Sequence, residues 1–196
     1  MSDESNPLWI RLLDDAIGLI VIVVALVAVL ELAFSFAYAL EVLSLGILAM
    51  GIAWIAWGVF LVRTKIYARI FMLATGVTAI AISLFDFIYF SLSPDLLIIY
   101  PAIAMLLVGV SRLALGFLIG GVPLWVQMLQ VLAGILTINL AAFVFIFSNI
   151  NLPAMIILLI ISLVANGLVR LIVGRTDVHQ QYLQPAGSSV PSDEVD

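Results

Sequence analysis

The chain contains no cysteine, and its single histidine is His179. These absences exclude a disulfide framework, a thiolate nucleophile and a zinc site built from cysteine and histidine. Charge is also scarce, because Asp, Glu, Lys and Arg make up only 10% of the residues and the formal net charge is -5. A protein that binds nucleic acid needs a basic face to neutralise phosphates, so we expect no nucleic-acid partner.

Apolar side chains, by contrast, are in large excess. Hydrophobic residues make up 65% of the 196 residues, and the mean hydropathy is +1.33. Soluble domains average about 45–50% apolar and about 25% charged residues. The composition therefore predicts an all-α, polytopic integral membrane protein whose surroundings are lipid.

Six stretches are long enough to cross a bilayer, whose hydrocarbon core requires about 20 apolar residues per helix. They are residues 12–32, 38–62, 68–90, 96–119, 124–147 and 153–173. Polar, glycine or proline residues separate the later stretches. The first break is apolar in its middle, so a single helix through residues 16–40 is the competing interpretation.

The positions of the basic residues predict the direction of the chain. With six spans, all 7 Lys and Arg residues fall on the same side of the membrane. By the positive-inside rule, both termini are then cytoplasmic. Residues 1–180 form one membrane domain in this interpretation, and residues 181–196, which lack the apolar side chains to fold, are predicted to be a disordered cytoplasmic tail.

Glycines recur with a period of 58 residues. Two sets lie on the odd-numbered and the even-numbered spans, respectively: Gly18, Gly76 and Gly134, and Gly51, Gly109 and Gly167. This self-similarity predicts three helical-hairpin repeats, residues 7–64, 65–122 and 123–180, related by a pseudo-threefold axis along the membrane normal. The repeat favours two helices at the unclear first break. Small residues share a face with the odd-span glycines, which is typical of helix contacts in lipid.

A second pattern, Gly-x-x-Arg-Leu-x-x-Gly, lies on the fourth and sixth spans, at residues 109–116 and 167–174. With the three hairpins, and with Pro94 and Pro153 near two hairpin turns, it resembles the HdeD-like family. These are small six-helix prokaryotic membrane proteins made of three hairpin repeats and named for an acid-resistance member. The resemblance covers roughly residues 7–175, and the first copy departs from it, with Trp54 at the arginine position.

The HdeD-like resemblance implies a role in acid or envelope stress and a place in the plasma membrane. It supplies no catalytic residue, metal site or cofactor. On this basis we expect a non-enzymatic protein that acts in stress tolerance or as a partner in a larger membrane complex. The lipid bilayer is the expected environment, with a second copy of the chain or another membrane protein as candidate partners.

Ionisable residues inside spans are costly and are therefore candidates for function. Arg112 and Arg170 lie within about two turns of the inner ends of the fourth and sixth spans, and Asp14 and Asp15 lie at comparable depth on the first. This complementary occupancy predicts an intramembrane ion pair between repeats. One alternative is that the arginine side chains extend to the lipid headgroups. The other is that the aspartates, near the start of the first helix, interact favourably with its dipole.

Three further polar residues, Asp86, Asn139 and Asn166, are candidates to line a polar path through the bundle. The alternatives are an interfacial carboxylate for Asp86 and amides bonded to neighbouring helices for the other two. A small channel or transporter for an ion or small solute is therefore the second hypothesis, although inverted repeats, common in alternating-access transporters, are missing. A lipid-modifying enzyme is the third, and it lacks an acid–base pair.

Overall fold

The computed structural model describes residues 8–60, 66–88, 94–118, 123–147 and 151–174. They form the helices α1 (Leu8–Leu32), α2 (Phe36–Phe60), α3 (Ile66–Ile88), α4 (Pro94–Leu118), α5 (Leu124–Phe147) and α6 (Leu152–Gly174). Each helix is long and apolar enough to cross a membrane. The prediction of an all-α architecture with six membrane-spanning helices is confirmed. The loop at residues 61–65 and the tail predicted at residues 181–196 lie outside the described residues.

A short turn separates α1 from α2. The carbonyl oxygen of Glu31 accepts hydrogen bonds from the amides of Phe34, at 2.9 Å, and Ser35, at 2.7 Å, and these bonds end α1. The carbonyl oxygen of Ser35 then accepts a bond from the amide of Ala39 at 3.1 Å, which starts α2. The prediction of two helices is therefore confirmed, and a single helix through residues 16–40 is wrong.

Asparagine and proline start the last two helices. The side chain of Asn151 accepts a hydrogen bond from the amide of Ala154 at 3.2 Å, which caps α6. Pro153 lies in the first turn of α6, where its missing N–H has no partner to lose. At α5, the carbonyl oxygen of Pro123 accepts a bond from the amide of Val126 at 3.0 Å. The proline and asparagine residues that separate the later apolar stretches of the sequence therefore start helices.

The six helices divide into an inner and an outer group. In the most apolar stretch of each helix, 56% of the residues of α2, α4 and α6 are buried, against 33% in α1, α3 and α5. The three inner helices also contact one another. We call the end of the bundle where α1, α3 and α5 begin the terminal side, and the end where these three helices finish the hairpin side.

Glycine pairs mark the closest approaches between helices that belong to different hairpins. The pairs are Gly76 with Gly51, Gly134 with Gly109, and Gly18 with Gly167. A Cβ atom built on the first glycine of each pair would lie 2.8, 2.9 and 3.1 Å, respectively, from the carbonyl oxygen of the second. Backbone therefore meets backbone at the α2–α3, α4–α5 and α1–α6 junctions, as small-residue contacts in lipid do. The same repeat positions meet at each junction, which a threefold arrangement requires; the symmetry itself stays a prediction.

The centre of the bundle is filled by apolar side chains of the inner helices. Ile47 and Met50 of α2, Met105 of α4, and Leu159 and Leu163 of α6 are at most 1% exposed. We call these five residues the apolar layer. Along α2 they lie between Ser44, nearer the hairpin side, and Trp54, nearer the terminal side. The same stretch of α6 also holds the buried hydroxyl of Ser162, so the two polar regions are separated by a mainly apolar layer.

Candidate functional site

Asp14 on α1 and Arg170 on α6 form a buried ion pair. Arg170 Nη1 donates to Asp14 Oδ1 over 2.7 Å, and the two side chains are 5% and 1% exposed, respectively. The guanidinium carbon Cζ of Arg170 also lies 5.5 Å from the ring centre of Trp54 and 5.8 Å from that of Trp57. A cation at this distance is attracted by the electron-rich ring face. Arg170 is thus turned into the bundle and does not extend to the headgroups.

Arg112 on α4 is also buried, with 2% exposure, but its partners are neutral. Arg112 Nη1 donates to Gln130 Oε1 of α5 over 2.8 Å, and Nη2 donates to the carbonyl oxygen of Asn166 over 2.9 Å. Arg112 Nε donates to the side-chain oxygen of Asn166 as well. In the part of the chain that the structure describes, no carboxylate lies within ion-pair distance of Arg112. Its charge is therefore solvated by amide and carbonyl oxygens alone.

Asn166 connects α4, α5 and α6. Besides accepting from Arg112, it donates from Nδ2 to Thr137 Oγ1 on α5 and to the carbonyl oxygen of Ser162, each over 2.8 Å. Asn166 is completely buried. Both ends of its amide are satisfied, so this residue holds Arg112 in place and joins three helices through one side chain.

Asp15 stands apart from the other three charged residues of the predicted set. It is half-buried, and its Oδ1 atom has no hydrogen-bond partner among the described residues. The structure thus brings Asp14 and Arg170 together, places Arg112 in an adjacent amide network, and leaves Asp15 outside both. We call Asp14, Arg112, Gln130, Asn166 and Arg170 the terminal-side cluster.

A second polar site lies on the hairpin side. Ser44 of α2 donates to Asp86 Oδ2 of α3 over 2.7 Å, and both residues are buried. Asp86 Oδ1 has no partner among the described residues. Glu41 lines a small cavity with Ser44 and Asp86, and it also lines a neighbouring open cleft of about 290 Å³ with Glu31. The carboxylates of Glu31 and Glu41 therefore lie beside an open cleft, whereas that of Asp86 is buried.

The three residues expected to line a polar path do not share one. Asn139 is exposed on the outer face of α5, and its Nδ2 donates to the carbonyl oxygen of Ile135 in its own helix, over 2.8 Å. Asp86 belongs to the hairpin side and Asn166 to the terminal side, with the apolar layer between them. The expectation that Asp86, Asn139 and Asn166 line one polar path is therefore not met.

The terminal-side cluster surrounds a cavity of about 10 Å³. Its lining residues are Asp14, Trp54, Trp57, Arg112, Gln130, Arg170 and Val173. Three polar atoms of these side chains are buried and, within the described part of the chain, have no hydrogen-bond partner: Asp14 Oδ2, Trp54 Nε1 and Arg170 Nε. The cavity has the size needed for one water molecule or one ion of similar radius. It is therefore a small polar cavity inside the bundle.

Gln130, Trp54 and Trp57 belong to this site, and reasoning from the sequence did not predict them as site residues. The signal for Gln130 and Trp54 is the 58-residue period. Gln130 lies two periods after Asp14, and Trp54 lies one period before Arg112. The α4–α5 junction therefore carries Arg112 with Gln130 where the α1–α6 junction carries Arg170 with Asp14. A residue at the same repeat position as a predicted site residue is therefore a candidate site residue as well.

The described residues contain no group of three or more His, Asp or Glu side chains placed to hold a metal ion. The chain matches no protein-family model, no curated protein and no solved structure. The chemistry available at the terminal-side cluster is therefore argued from its own geometry: two guanidinium groups, one carboxylate and two amides, enclosed by indole rings and hydrocarbon.

Proposed function

We propose that this chain is a non-enzymatic, multi-pass protein of the plasma membrane that contributes to acid or envelope stress tolerance, alone or as a partner in a larger membrane complex. The resemblance of residues 109–116 and 167–174 to the HdeD-like pattern supports the stress role. The arrangement of the bundle supports a protein that seals its own centre and conducts nothing.

The observation that carries this proposal is the apolar layer. An ion needs a continuous hydrated path, because unsolvated charge in hydrocarbon is costly. Between the ion pair of Asp14 and Arg170 on one side and Asp86 on the other, the centre holds side chains such as Met50, Met105 and Leu159, all fully buried. Polar residues such as Asn166 and Asp86 join helices to one another, which supports a structural role over a conduit.

Flux measurements in liposomes test this proposal against the channel or transporter hypothesis. The full chain is reconstituted, and the movement of protons, K⁺ and Cl⁻ is followed with entrapped dyes. We expect rates equal to those of protein-free liposomes, with a pore-forming peptide as the positive control. A wild-type flux that scales with protein density and disappears in a Leu163→Trp variant would contradict the proposal and establish a conducting path.

The stress role has a separate test in the cells that encode the protein. Deletion should lower survival after acid or envelope stress, and expression of the wild-type chain should restore it. A Gly76→Leu variant should fail to restore survival, because a leucine cannot fit where a Cβ already lies 2.8 Å from the carbonyl oxygen of Gly51. Equal survival of deleted and complemented cells under every stress tried would sink the proposed role.

The orientation is tested by single-cysteine labelling, which the absence of native cysteine makes direct. Cysteines are placed at Ser2, Ser93 and Ser188. The one-sided distribution of Lys and Arg leads us to expect that Ser93 is labelled only from outside the cell and the other two only from the cytoplasm. Labelling of the Ser93 position from the cytoplasm would reverse the proposed topology.

A further inference from the structure

The charges around the terminal-side cavity do not balance. Two guanidinium groups, of Arg112 and Arg170, face one carboxylate, that of Asp14. The ion pair uses that carboxylate for Arg170. Arg112 donates its hydrogen bonds to neutral oxygens of Gln130 and Asn166. One positive charge therefore stays without a counter-charge among the described residues that line the cavity, at a depth where an unpaired charge is strongly unfavourable.

Among the described residues, two hydrogen-bond donors of the same cavity are also without partners, as is one acceptor, Asp14 Oδ2. The two donors are the indole Nε1–H of Trp54, which is 1% exposed, and the Nε–H of Arg170, which is 5% exposed. Buried donors are nearly always satisfied, so a group that stays unpaired indicates an occupant. The cavity of about 10 Å³ limits that occupant to one small species.

From the excess positive charge, the unpaired donors and the small cavity, we propose that the terminal-side cavity binds a single small monovalent inorganic anion, for which chloride is the test ion. Arg112 and Arg170 supply the attraction, and the N–H groups of Trp54 and Arg170 are the donors available to the anion. An anion neutralises the second guanidinium, which a water molecule in the same place does not. The Asp14 carboxylate competes with the anion for this positive field, so its removal should strengthen binding.

The test is the thermal stability of the full chain in nanodiscs of neutral lipid, with sodium chloride or sodium bromide replacing sodium gluconate at constant ionic strength. For the wild type we expect Tm to rise with halide concentration and then to saturate, as binding to the folded state requires. Gluconate is too large for the cavity, so it serves as the inert anion.

Two charge variants separate anion binding from a general salt effect. Arg112→Gln removes the excess charge and leaves the pair of Asp14 with Arg170, so the halide dependence should disappear. Asp14→Asn leaves two guanidinium groups and no carboxylate, so chloride should raise Tm more than it does in the wild type. Arg69→Gln is the matched control, because Arg69 lies outside the cavity and donates to the carbonyl oxygen of Gly58 over 3.0 Å.

Trp54→Phe keeps an aromatic side chain and removes the indole N–H donor, so it remains informative if Arg112→Gln fails to fold. The half-saturating chloride concentration should rise by roughly tenfold or more, the effect of losing one hydrogen bond to a charged group. Crystals grown in bromide should show one anomalous peak inside the cavity. A Tm that does not change with halide in either the wild type or Asp14→Asn would overturn the proposal. Stabilisation by phosphatidylglycerol nanodiscs but not by halide would also overturn it, because a lipid headgroup would then be the anion that neutralises Arg112.

Discussion

Arg170 near the end of α6 is joined to Asp14 near the start of α1 by a hydrogen-bonded ion pair of 2.7 Å. The partners are 156 residues apart, and each is almost completely buried. Close to this pair, Gly18 of α1 meets Gly167 of α6 backbone to backbone. The first and last helices are therefore held by two different interactions, one electrostatic and one made of close packing, at the same junction.

Breaking this ion pair should be strongly destabilising. Asp14→Asn or Arg170→Gln strands a buried charge, and we expect each to lower the free energy of unfolding by about 3–5 kcal/mol in gluconate buffer. Because the two residues contact each other, the double variant should lose less than the sum of the two single losses. Thermal unfolding in nanodiscs measures the cycle. A parallel cycle of Asp15→Asn with Arg170→Gln should be additive to within about 0.5 kcal/mol, and equal coupling in both cycles would refute the specific pairing.

Two asparagines of similar depth should differ sharply when replaced. Asn166→Leu removes the side-chain oxygen that accepts from Arg112 Nε and the amide that donates to Thr137, while the backbone carbonyl that accepts from Arg112 Nη2 remains. We expect a loss of about 1–3 kcal/mol, as for unsatisfied buried donors. Asn139→Leu removes only a bond to the helix's own backbone on the exposed face, and it should be neutral or slightly stabilising. The measurement is Tm in the same nanodiscs. Similar losses for both variants would show that Asn139 also has a structural role.

The glycine contacts should tolerate even a methyl group poorly, and to different degrees. A Cβ at Gly76 would lie 2.6 Å from Ile55 Cγ1 and 2.9 Å from the backbone nitrogen of Ile55, whereas the nearest atom to a Cβ at Gly18 is Leu171 Cγ at 3.0 Å. Backbone cannot move aside as a flexible side chain can. We therefore expect Gly76→Ala to cost about 1–3 kcal/mol and Gly18→Ala less. The larger Ala81→Leu substitution, on the exposed face of α3, is the control and should leave Tm unchanged.

The hairpin-side bond between Ser44 and Asp86 should be replaceable as a unit. One period later in the sequence, the corresponding positions carry Ala102 and Val144, which are both buried. Ser44→Ala alone leaves a buried carboxylate without its donor and should cost about 1–3 kcal/mol. The double variant Ser44→Ala with Asp86→Val should recover wild-type stability or exceed it, because replacing both partners by apolar groups removes the desolvation cost. A double variant less stable than Ser44→Ala would show that the carboxylate itself supports the fold.

The fold was largely readable from the sequence, because lipid makes hydrophobic length and the placement of small residues decisive. The break at Ser35 is the clearest example: its own residues are ambiguous, and the 58-residue period resolved it. The period also located both Gly76 and Gly134 at helix contacts. The period did not show which helix each glycine contacts. The closest contacts join different hairpins, so they depend on how the hairpins pack together.

The site was only partly readable for a related reason. Depth along a helix follows from residue number, and it correctly placed Asp14 level with Arg170. The direction in which a side chain points depends on the rotation of each helix within the bundle, which the weak amphipathicity of these sequences leaves undetermined. Asn139 therefore lies on the exposed face, although its depth matched a central position. Gln130 was missed because an uncharged residue gave no electrostatic reason to consider it.

The closure of α1 against α6 sets a delay in the synthesis of the protein. Arg170 follows Asp14 by 156 positions, which the ribosome covers in roughly 8–30 s at about 5–20 residues per second. For that interval the first helix has been made and the arginine that neutralises its buried carboxylate has not. The native α1–α6 junction is therefore formed only after translation has reached the last helix, and a chain stopped before Arg170 leaves Asp14 without its ion-pair partner.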